Sequence, residues 1–169
     1  IATGFGRILT VMFAGSVRGL MPRAPVELRG IRVGEVVDLR LELDSLSPQT
    51  DVPVTIAIEP ERLGLGEGDP AADNRSPAGR TLWDRLVANG LRAQIKTANL
   101  LTGALYVDLD FYPDADPRTI AWEGEVPRLP TVPTALDELR GLLSTVARLP
   151  LDTMAEDLGK SLEAMHQTM

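Results

Sequence analysis

Apolar and polar residues alternate over short stretches in the first two thirds of the chain, as they do in half-buried β-strands. The clearest stretch is 36–44, in which Val37, Leu39, Leu41 and Leu43 are predicted to face inward and the charged residues between them outward. Other strand-like stretches are residues 7–13, 23–29, 51–59, 91–96 and 104–112. Short one-sided strands separated by small turns are typical of a barrel or a sandwich, so the chain is predicted to be mainly β.

One region, residues 63–90, interrupts the strands. Its first part is rich in Gly, Pro, Asp and Asn, which predicts a loop. Its second part predicts a short helix over 82–89, because Thr81 with Asp84 resembles a capping box and Gly90 suits the position after a helix end. The region is therefore expected to be a loop and a short helix inserted between two strands.

The last third of the chain changes from proline-rich to helical. Frequent proline predicts an extended linker over 114–133. Residues 134–169 follow with helical spacing, broken near Pro150. The apolar positions at this spacing are Leu136, Leu139, Leu143, Val146, Leu151, Met154, Leu158, Leu162 and Met165, with Leu142 and Leu149 broadening the stripe. A lone helix with such a stripe is unstable in water, so we expect it to pack against the same helix of another copy, in a bundle or coiled coil.

Composition narrows the possible partners. Of the 169 residues, 44% are hydrophobic and only 4% aromatic, which predicts an aliphatic core. The net charge of −7 argues against nucleic acid, whose phosphates require a basic surface. The chain has no cysteine, which excludes disulfides and thiolate zinc sites. No run of about 18 apolar residues is present that would predict a membrane-spanning helix.

Residues that could carry chemistry are few. His166 is the only histidine and lies near the end of a polar helix face, so it suggests neither a metal site nor a catalytic triad. Asp108 and Asp110 are interpreted as outward positions of a strand, on a solvated face, rather than as calcium ligands. The glycine-rich stretch 64–69 lacks the ending of a P-loop, and the sequon at Asn74 is of a kind common by chance. We therefore expect no enzyme activity, no metal and no cofactor.

The pair Leu100–Leu101 does not fit the strand pattern. Two adjacent leucines, between Asn99 and Thr102, would point to opposite faces of a strand. Either one of them caps the core while the other is an ordinary exposed residue, or both form an apolar loop tip that contacts a ligand or partner. The residues alone leave both interpretations open.

Two longer stretches resemble a known family. Residues 15–36 (GSVRGLMPRAPVELRGIRVGEV) resemble the signature of mammalian cell entry (MCE) domains. The positions kept are Gly19, Leu20, Ala24, Pro25, Val26, Arg29, Gly30, Val33, Gly34 and Val36, whereas Arg23 stands where many members have glycine. Residues 90–114 resemble the end of the same domain, particularly in the paraquat-inducible protein B subgroup, and the helical insert also fits that subgroup. The resemblance covers residues 5–113.

The resemblance implies a seven-stranded MCE-type β-barrel that assembles as a homo-hexameric ring. Such rings carry lipids between the inner and outer bacterial membranes, and the expected cargo here is phospholipid. The resemblance also implies that the loop 98–103 lines the central pore, with Leu100 and Leu101 at its tip and Asn99 and Thr102 beside them. The expected partners are other copies of the chain, phospholipid and an inner-membrane protein of the same transport system.

The resemblance also implies a location. We expect a periplasmic position, in a longer protein anchored in the inner membrane of a Gram-negative bacterium, with residues 5–113 as its last MCE domain. In paraquat-inducible protein B relatives, long helices after this domain bundle into a hollow needle, and residues 134–169 match that place and periodicity.

Two other functions are weighed against lipid transport. The first is a structural spacer or assembly module that has no direct contact with lipid. The second is a monomeric hydrolase or metal-binding domain, against which the shortage of His and Cys already counts.

Overall fold

The strands of the first part of the chain form one curled sheet. The computed structural model describes residues 7–43, 50–124, 126–132, 135–147 and 151–167. The elements are β1 (Ile8–Phe13), β2 (Pro25–Leu28), β3 (Ile31–Leu39), β4 (Glu42–Leu43), β5 (Thr50–Ile58), α1 (Pro77–Ala88), β6 (Leu91–Asn99), β7 (Ala104–Phe111), β8 (Arg128–Leu129), α2 (Ala135–Ala147) and α3 (Leu151–Gln167). Two 3-10 turns, Pro60–Leu63 and Pro70–Ala72, lie between β5 and α1.

Seven of the described strands are hydrogen-bonded in the order β6-β7-β2-β3-β5-β1-β8, and β4 pairs with β5 beside this path. The pairs β2–β7 and β1–β8 are parallel. The Ala93 N–H in β6 donates to the Pro130 carbonyl at 3.1 Å, and the Val132 N–H donates to the Ala93 carbonyl at 3.0 Å. The segment after β8 therefore joins the two ends of the strand order. The predicted mainly β fold, with seven strands, a helical insert and C-terminal helices, is confirmed.

The core inside this curled sheet is mostly aliphatic. Side chains that are fully buried include Leu9, Val11, Val26, Val54, Ile56, Leu91, Val107 and Leu109. Helix α1 adds Trp83 and Val87, which lie four residues apart and therefore on one helix face. This helix face therefore belongs to the same core as the sheet.

A bulge in β3 overturns part of the predicted alternation. Val36 and Asp38 pair with consecutive residues of β5, so Val37 is the extra residue. Val36 is buried, whereas Val37 is 40% exposed. The prediction that Val37 faces inward is wrong, because alternation alone cannot show which of two adjacent valines enters the core.

The predicted inward residues after the bulge differ in their burial. Leu39 is partly buried and packs against the core. Leu41 is exposed, so its predicted inward position is also wrong. The side chain of Leu43, the last member of the predicted alternation, lies outside the described residues.

Helix α1 is longer at its start than the sequence predicts. It begins at Pro77, and the Ser76 Oγ caps it by accepting from the Gly79 N–H at 2.9 Å. The predicted capping residue Thr81 lies inside the helix, where its hydroxyl donates to the Pro77 carbonyl at 2.8 Å. The predicted start at 82 is therefore wrong. Serine followed by proline at the first helical position is the stronger start signal.

The segment predicted as a linker, 114–133, packs on the sheet over its described part. It contains β8, whose Leu129 is buried, and the buried Ile120. The Thr10 N–H of β1 donates to the Pro127 carbonyl at 2.8 Å. Proline content misled the prediction, because Pro127 and Pro130 lack an N–H but their carbonyls still accept backbone hydrogen bonds from Thr10 and Ala93.

Arg92 ties this segment to the helix and the sheet. The Arg92 side chain is buried, and its guanidinium donates to the Val87, Leu91 and Asp116 carbonyls at 3.0, 2.7 and 2.9 Å. Burial lowers the pKa of Arg92, and nearby Arg118 lowers it further.

A tryptophan from the same segment contacts α1. The Trp122 Nε1–H donates to Asp84 Oδ1 at 2.8 Å, and the Arg80 guanidinium lies 5.1 Å from the Trp122 ring centroid. These contacts explain why a proline-rich stretch packs against the domain instead of forming an extended linker.

The chain divides into two compact units, Ile1–Thr134 and Ala135–Met169. The first contains the curled sheet and α1, and the second contains α2 and α3. Within the described ranges, no helix combines the length and the apolar character needed to cross a membrane.

Candidate functional site

The loop between β6 and β7 is the best candidate for a binding site. These two strands pair along their whole length, from Leu91 opposite Phe111 to Asn99 opposite Ala104. A register shift between Thr97 and Asn99 marks the point where the hairpin leaves regular pairing. Residues 100–103 therefore project from the end of a long and well-paired hairpin.

The Asn99 side chain shapes this loop. Its Oδ1 accepts from the Leu101 N–H at 2.8 Å and from the Thr102 N–H at 3.2 Å. The Gly103 N–H donates to the Asn99 carbonyl at 3.0 Å, and Gly103 has a φ of 69°. Asparagine is suited to this place because its short amide reproduces a backbone turn. Thr102 adds a long contact, in which its Oγ1 accepts from the Ala104 N–H at 3.4 Å.

The two leucines at the tip are nearly fully exposed. Leu100 is 91% exposed and Leu101 is 97% exposed. The interpretation in which one of them caps the core is therefore wrong. Two adjacent leucines held in water forgo about 2 kcal/mol each of burial free energy, which is typical of a surface that contacts something else.

Gly19 supports the loop from the neighbouring segment. Its carbonyl accepts from the Leu105 N–H at 3.1 Å. Its φ is +103°, and a Cβ at this position would lie 2.2 Å from the Gly103 carbonyl oxygen. The motif that contains Gly19 is visible in the sequence, but its contact with the loop is not, because more than eighty residues separate the two glycines along the chain.

A buried carboxylate anchors the outer face of the same hairpin. Asp108 is 4% exposed, and its Oδ2 lies 2.6 Å from the Lys96 Nζ. The prediction that Asp108 belongs to a solvated face is wrong, although Asp110 is partly exposed. The hydrogen bond to Asp108 raises the pKa of Lys96. The ion pair therefore favours the charged lysine and links β6 to β7.

Two tyrosines lie on this outer face. The Tyr112 hydroxyl donates to Gln94 Oε1 at 3.3 Å. Burial raises the pKa of both Tyr106 and Tyr112, and the Asp108 charge raises both further. Their hydroxyls therefore stay neutral at physiological pH.

Helices α2 and α3 present the predicted apolar residues to solvent. The exposed fractions of the large apolar side chains described on these helices range from 52% to 69%. They are Leu139, Leu142, Leu143, Val146, Leu158, Leu162 and Met165. Leu136, Leu151 and Met154 belong to the same helices, but their side chains lie outside the described residues.

The sequence offered two other candidates, His166 and the sequon at Asn74. His166 is exposed in the last turn of α3. Asn74 is buried, and its Nδ2 donates to the Ile8 carbonyl at 2.7 Å, so the sequon nitrogen is inaccessible. Among the residues that the structure describes, no three His, Asp or Glu side chains are grouped to hold a metal ion.

Comparison with known proteins identifies the class of this domain. The family model described as MlaD protein matches residues 6–112. The chain therefore belongs to the MlaD protein family, which confirms the resemblance to MCE domains. Membership of the paraquat-inducible protein B subgroup stays a prediction.

The chain is also similar to a solved structure described as the Acinetobacter MlaFEDB complex in ATP-bound Vtrans1 conformation. The sequence identity is 19%, the match covers 80% of this chain and 80% of that chain, and the TM-score is 0.36.

Proposed function

We propose that this chain is a subunit of a homo-hexameric periplasmic ring that conducts phospholipids between the inner and outer bacterial membranes. Leu100 and Leu101, with Asn99 and Thr102, line the central pore of this ring. The observation that carries the proposal is the exposure of both leucines, 91% and 97%, on a loop whose shape Asn99 holds.

The physical argument concerns the cost of moving a lipid through water. Each exposed CH₂ of an acyl chain costs about 0.8 kcal/mol in water, so a route across the periplasm requires an apolar lining. Two leucines from each copy, repeated around a ring axis, supply one apolar collar. A loop held by side-chain hydrogen bonds keeps this collar open without needing the acyl chain to order it.

The exposed stripes of α2 and α3 support self-association. Large apolar side chains on these helices are more than half exposed. We infer that they pack against the same helices of other copies, and that the broad stripe of α2 leaves apolar surface to line a hollow bundle. This arrangement supports our proposal that the chain belongs to the paraquat-inducible protein B subgroup and contains its last MCE domain.

The remaining partners follow from the family. The ring works as a passive conduit without a cofactor, in a longer protein anchored in the inner membrane. An inner-membrane protein of the same transport system delivers or receives the lipid.

The alternative function is a structural spacer or assembly module that has no direct contact with lipid. The exposed helical stripes favour it equally, because self-association alone would explain them. The loop tip separates the two functions, since a spacer has no use for two exposed leucines beside the ring axis.

The test replaces both leucines, Leu100→Asn with Leu101→Asn, in the intact protein. We expect electron micrographs to show unchanged rings, whereas crosslinking of photoactivatable phospholipid in cells is lost. Ile31→Asn is the matched control. Ile31 is 62% exposed at the start of β3, where it pairs with Leu28 at the end of β2 that is far from the loop. Unchanged crosslinking in the double variant would leave the spacer as the function.

A further inference from the structure

The segment 17–24 lies beside the leucine tip. Gly19 contacts both Gly103 and Leu105, as described above. The segment is made of two tight turns, closed by the Leu20 N–H donating to the Val17 carbonyl at 2.9 Å and the Ala24 N–H donating to the Met21 carbonyl at 3.0 Å. Side chains on these turns therefore lie at the same end of the sheet as the loop.

Two of these side chains are exposed arginines. Arg18 precedes Gly19, and Arg23 lies two residues before the start of β2. Within the described parts of the chain, neither guanidinium has a carboxylate within ion-pair distance. Other arginines do pair with carboxylates, namely Arg7, Arg32, Arg40 and Arg62.

Arg23 also has an unfavourable backbone conformation. Its φ is 70°, and its N–H donates to the Val36 carbonyl at 2.7 Å, which holds it there. A residue with a Cβ is strained in this region, whereas glycine adopts it freely. Glycine at this position would therefore remove the charge without straining the turn.

Between the two arginines, Met21 is 68% exposed. The end of the sheet thus combines apolar surface from Met21, Leu100 and Leu101 with two unpaired positive charges. A phospholipid presents the complementary combination of acyl chains and a phosphate. Guanidinium groups suit phosphate because they donate parallel hydrogen bonds to its oxygens.

We propose that Arg18 and Arg23 bind the headgroup phosphate of the phospholipid whose acyl chains contact Leu100 and Leu101. This inference rests on the proposed function and adds the chemical class of headgroup that the site selects. A local pair of cations also offsets the repulsion that a chain of net charge −7 exerts on an anionic lipid.

The test measures binding of two fluorescent lipids to the intact protein in nonionic detergent. The lipids are phosphatidylglycerol and diacylglycerol, which has the same acyl chains without the phosphate. We expect Arg18→Gln with Arg23→Gln to weaken phosphatidylglycerol binding about fivefold, a modest loss because both arginines are exposed. Diacylglycerol binding should not change. An unchanged ratio of the two affinities would overturn the inference.

Arg29→Gln is the matched control for charge and backbone. Arg29 is an exposed arginine with a φ of 52°, but it lies at the opposite end of β2. We expect this variant to bind both lipids normally, and an equal loss of phosphatidylglycerol would mean a nonspecific charge effect. Arg23→Gly separates folding from binding, because it should weaken phosphatidylglycerol binding without lowering the unfolding midpoint.

Two further arms separate the possible failures. Inorganic phosphate is the third probe, and competition at concentrations comparable to the lipid would make the arginines a general anion site and overturn the headgroup assignment. Leu100→Asn with Leu101→Asn should weaken binding of both lipids. Unchanged binding of both lipids in that variant would contradict the proposed function. The binding of phosphatidylglycerol by the Arg18→Gln with Arg23→Gln variant separately tests whether the arginines bind the headgroup.

Discussion

Gly19 and Gly103 meet so closely that a Cβ on Gly19 would lie 2.2 Å from the Gly103 carbonyl oxygen. The contact joins the segment before β2 to the loop that carries Leu100 and Leu101. The position of the leucine tip therefore depends on a residue far away along the chain.

The first prediction is that Gly19→Ala destabilises the domain. The new Cβ would meet the Gly103 carbonyl, and the φ of +103° is unfavourable for alanine. We expect the free energy of unfolding to fall by about 3 kcal/mol, measured by urea denaturation.

Gly30→Ala is the control for this prediction. Gly30 also has a positive φ, +84°, but a Cβ there would meet nothing within 4 Å. We expect a loss of about 1 kcal/mol from the backbone alone. Equal losses in the two variants would show that the contact with Gly103 is unimportant.

The second prediction concerns Asn99. Asn99→Ala removes the acceptor of the Leu101 and Thr102 amides. We expect hydrogen exchange at these two amides to accelerate about fivefold, since each lost hydrogen bond is worth about 1 kcal/mol. Asn99→Asp keeps the acceptor and should keep the protection. Fast exchange in the aspartate variant would mean that the side-chain amide has another role.

The third prediction concerns the pair Lys96–Asp108 and alkaline pH. The pKa of Lys96 is raised above 10.5 in the folded protein, chiefly by its hydrogen bond to Asp108. The stability from this pair is therefore complete below pH 10.5 and is lost as the pH rises through the folded pKa. Because Asp108 is buried, Lys96→Met leaves a buried carboxylate without its cation, and we expect the free energy of unfolding to fall by about 2 kcal/mol at neutral pH. The difference in this free energy between wild type and variant should shrink as the pH rises through the folded pKa of Lys96.

The ionisation of Tyr106 and Tyr112 must be excluded from this measurement of stability against pH. The pKa values of Tyr106 and Tyr112 are also raised, so their ionisation lowers stability in the same direction at high pH. Urea denaturation at several pH values should therefore be done with both tyrosines changed to Phe. In that background, parallel pH profiles with and without the Lys96→Met substitution would contradict the role given to the ion pair.

The fourth prediction concerns Arg92. Arg92→Met leaves the Val87, Leu91 and Asp116 carbonyls without their donor. We expect a loss of about 3 kcal/mol and faster proteolysis within 114–124. Arg118→Met, on an exposed residue whose charge lowers the pKa of Arg92, should leave the stability at or slightly above that of wild type. Equal protease resistance in the two variants would contradict the role of Arg92.

The sequence predicted the mainly β fold, because alternation along β1, β5, β6 and β7 is visible without any tertiary information. It failed at β3, where the adjacent Val36 and Val37 allow two phases and only the pairing with β5 selects one. It failed at α1, where both Ser76 and Thr81 can cap a helix, although Pro77 was available as a signal.

Long-range contacts explain the remaining differences. Ile120 and Leu129 lie in a proline-rich stretch without an alternating pattern, and nothing local shows that they enter the core. The exposure of Leu100 and Leu101 depends on whether their loop folds back, which Asn99 and Gly19 decide. The residue pattern alone predicted the tip as a candidate, whereas its exposure was implied only by the family resemblance.

The contacts of residues 127–132 have a consequence for folding order. They bond to β1 and to β6, and the Thr131 hydroxyl donates to the Met12 carbonyl across 119 positions of chain. During synthesis, β1 leaves the ribosome early, and nearly the whole domain must be made before β1 can pair with residues 127–132. Contacts so distant in sequence slow folding, and an unpaired strand edge can pair with other chains in the meantime. The nascent domain is thus most exposed to aggregation just before its last strand emerges.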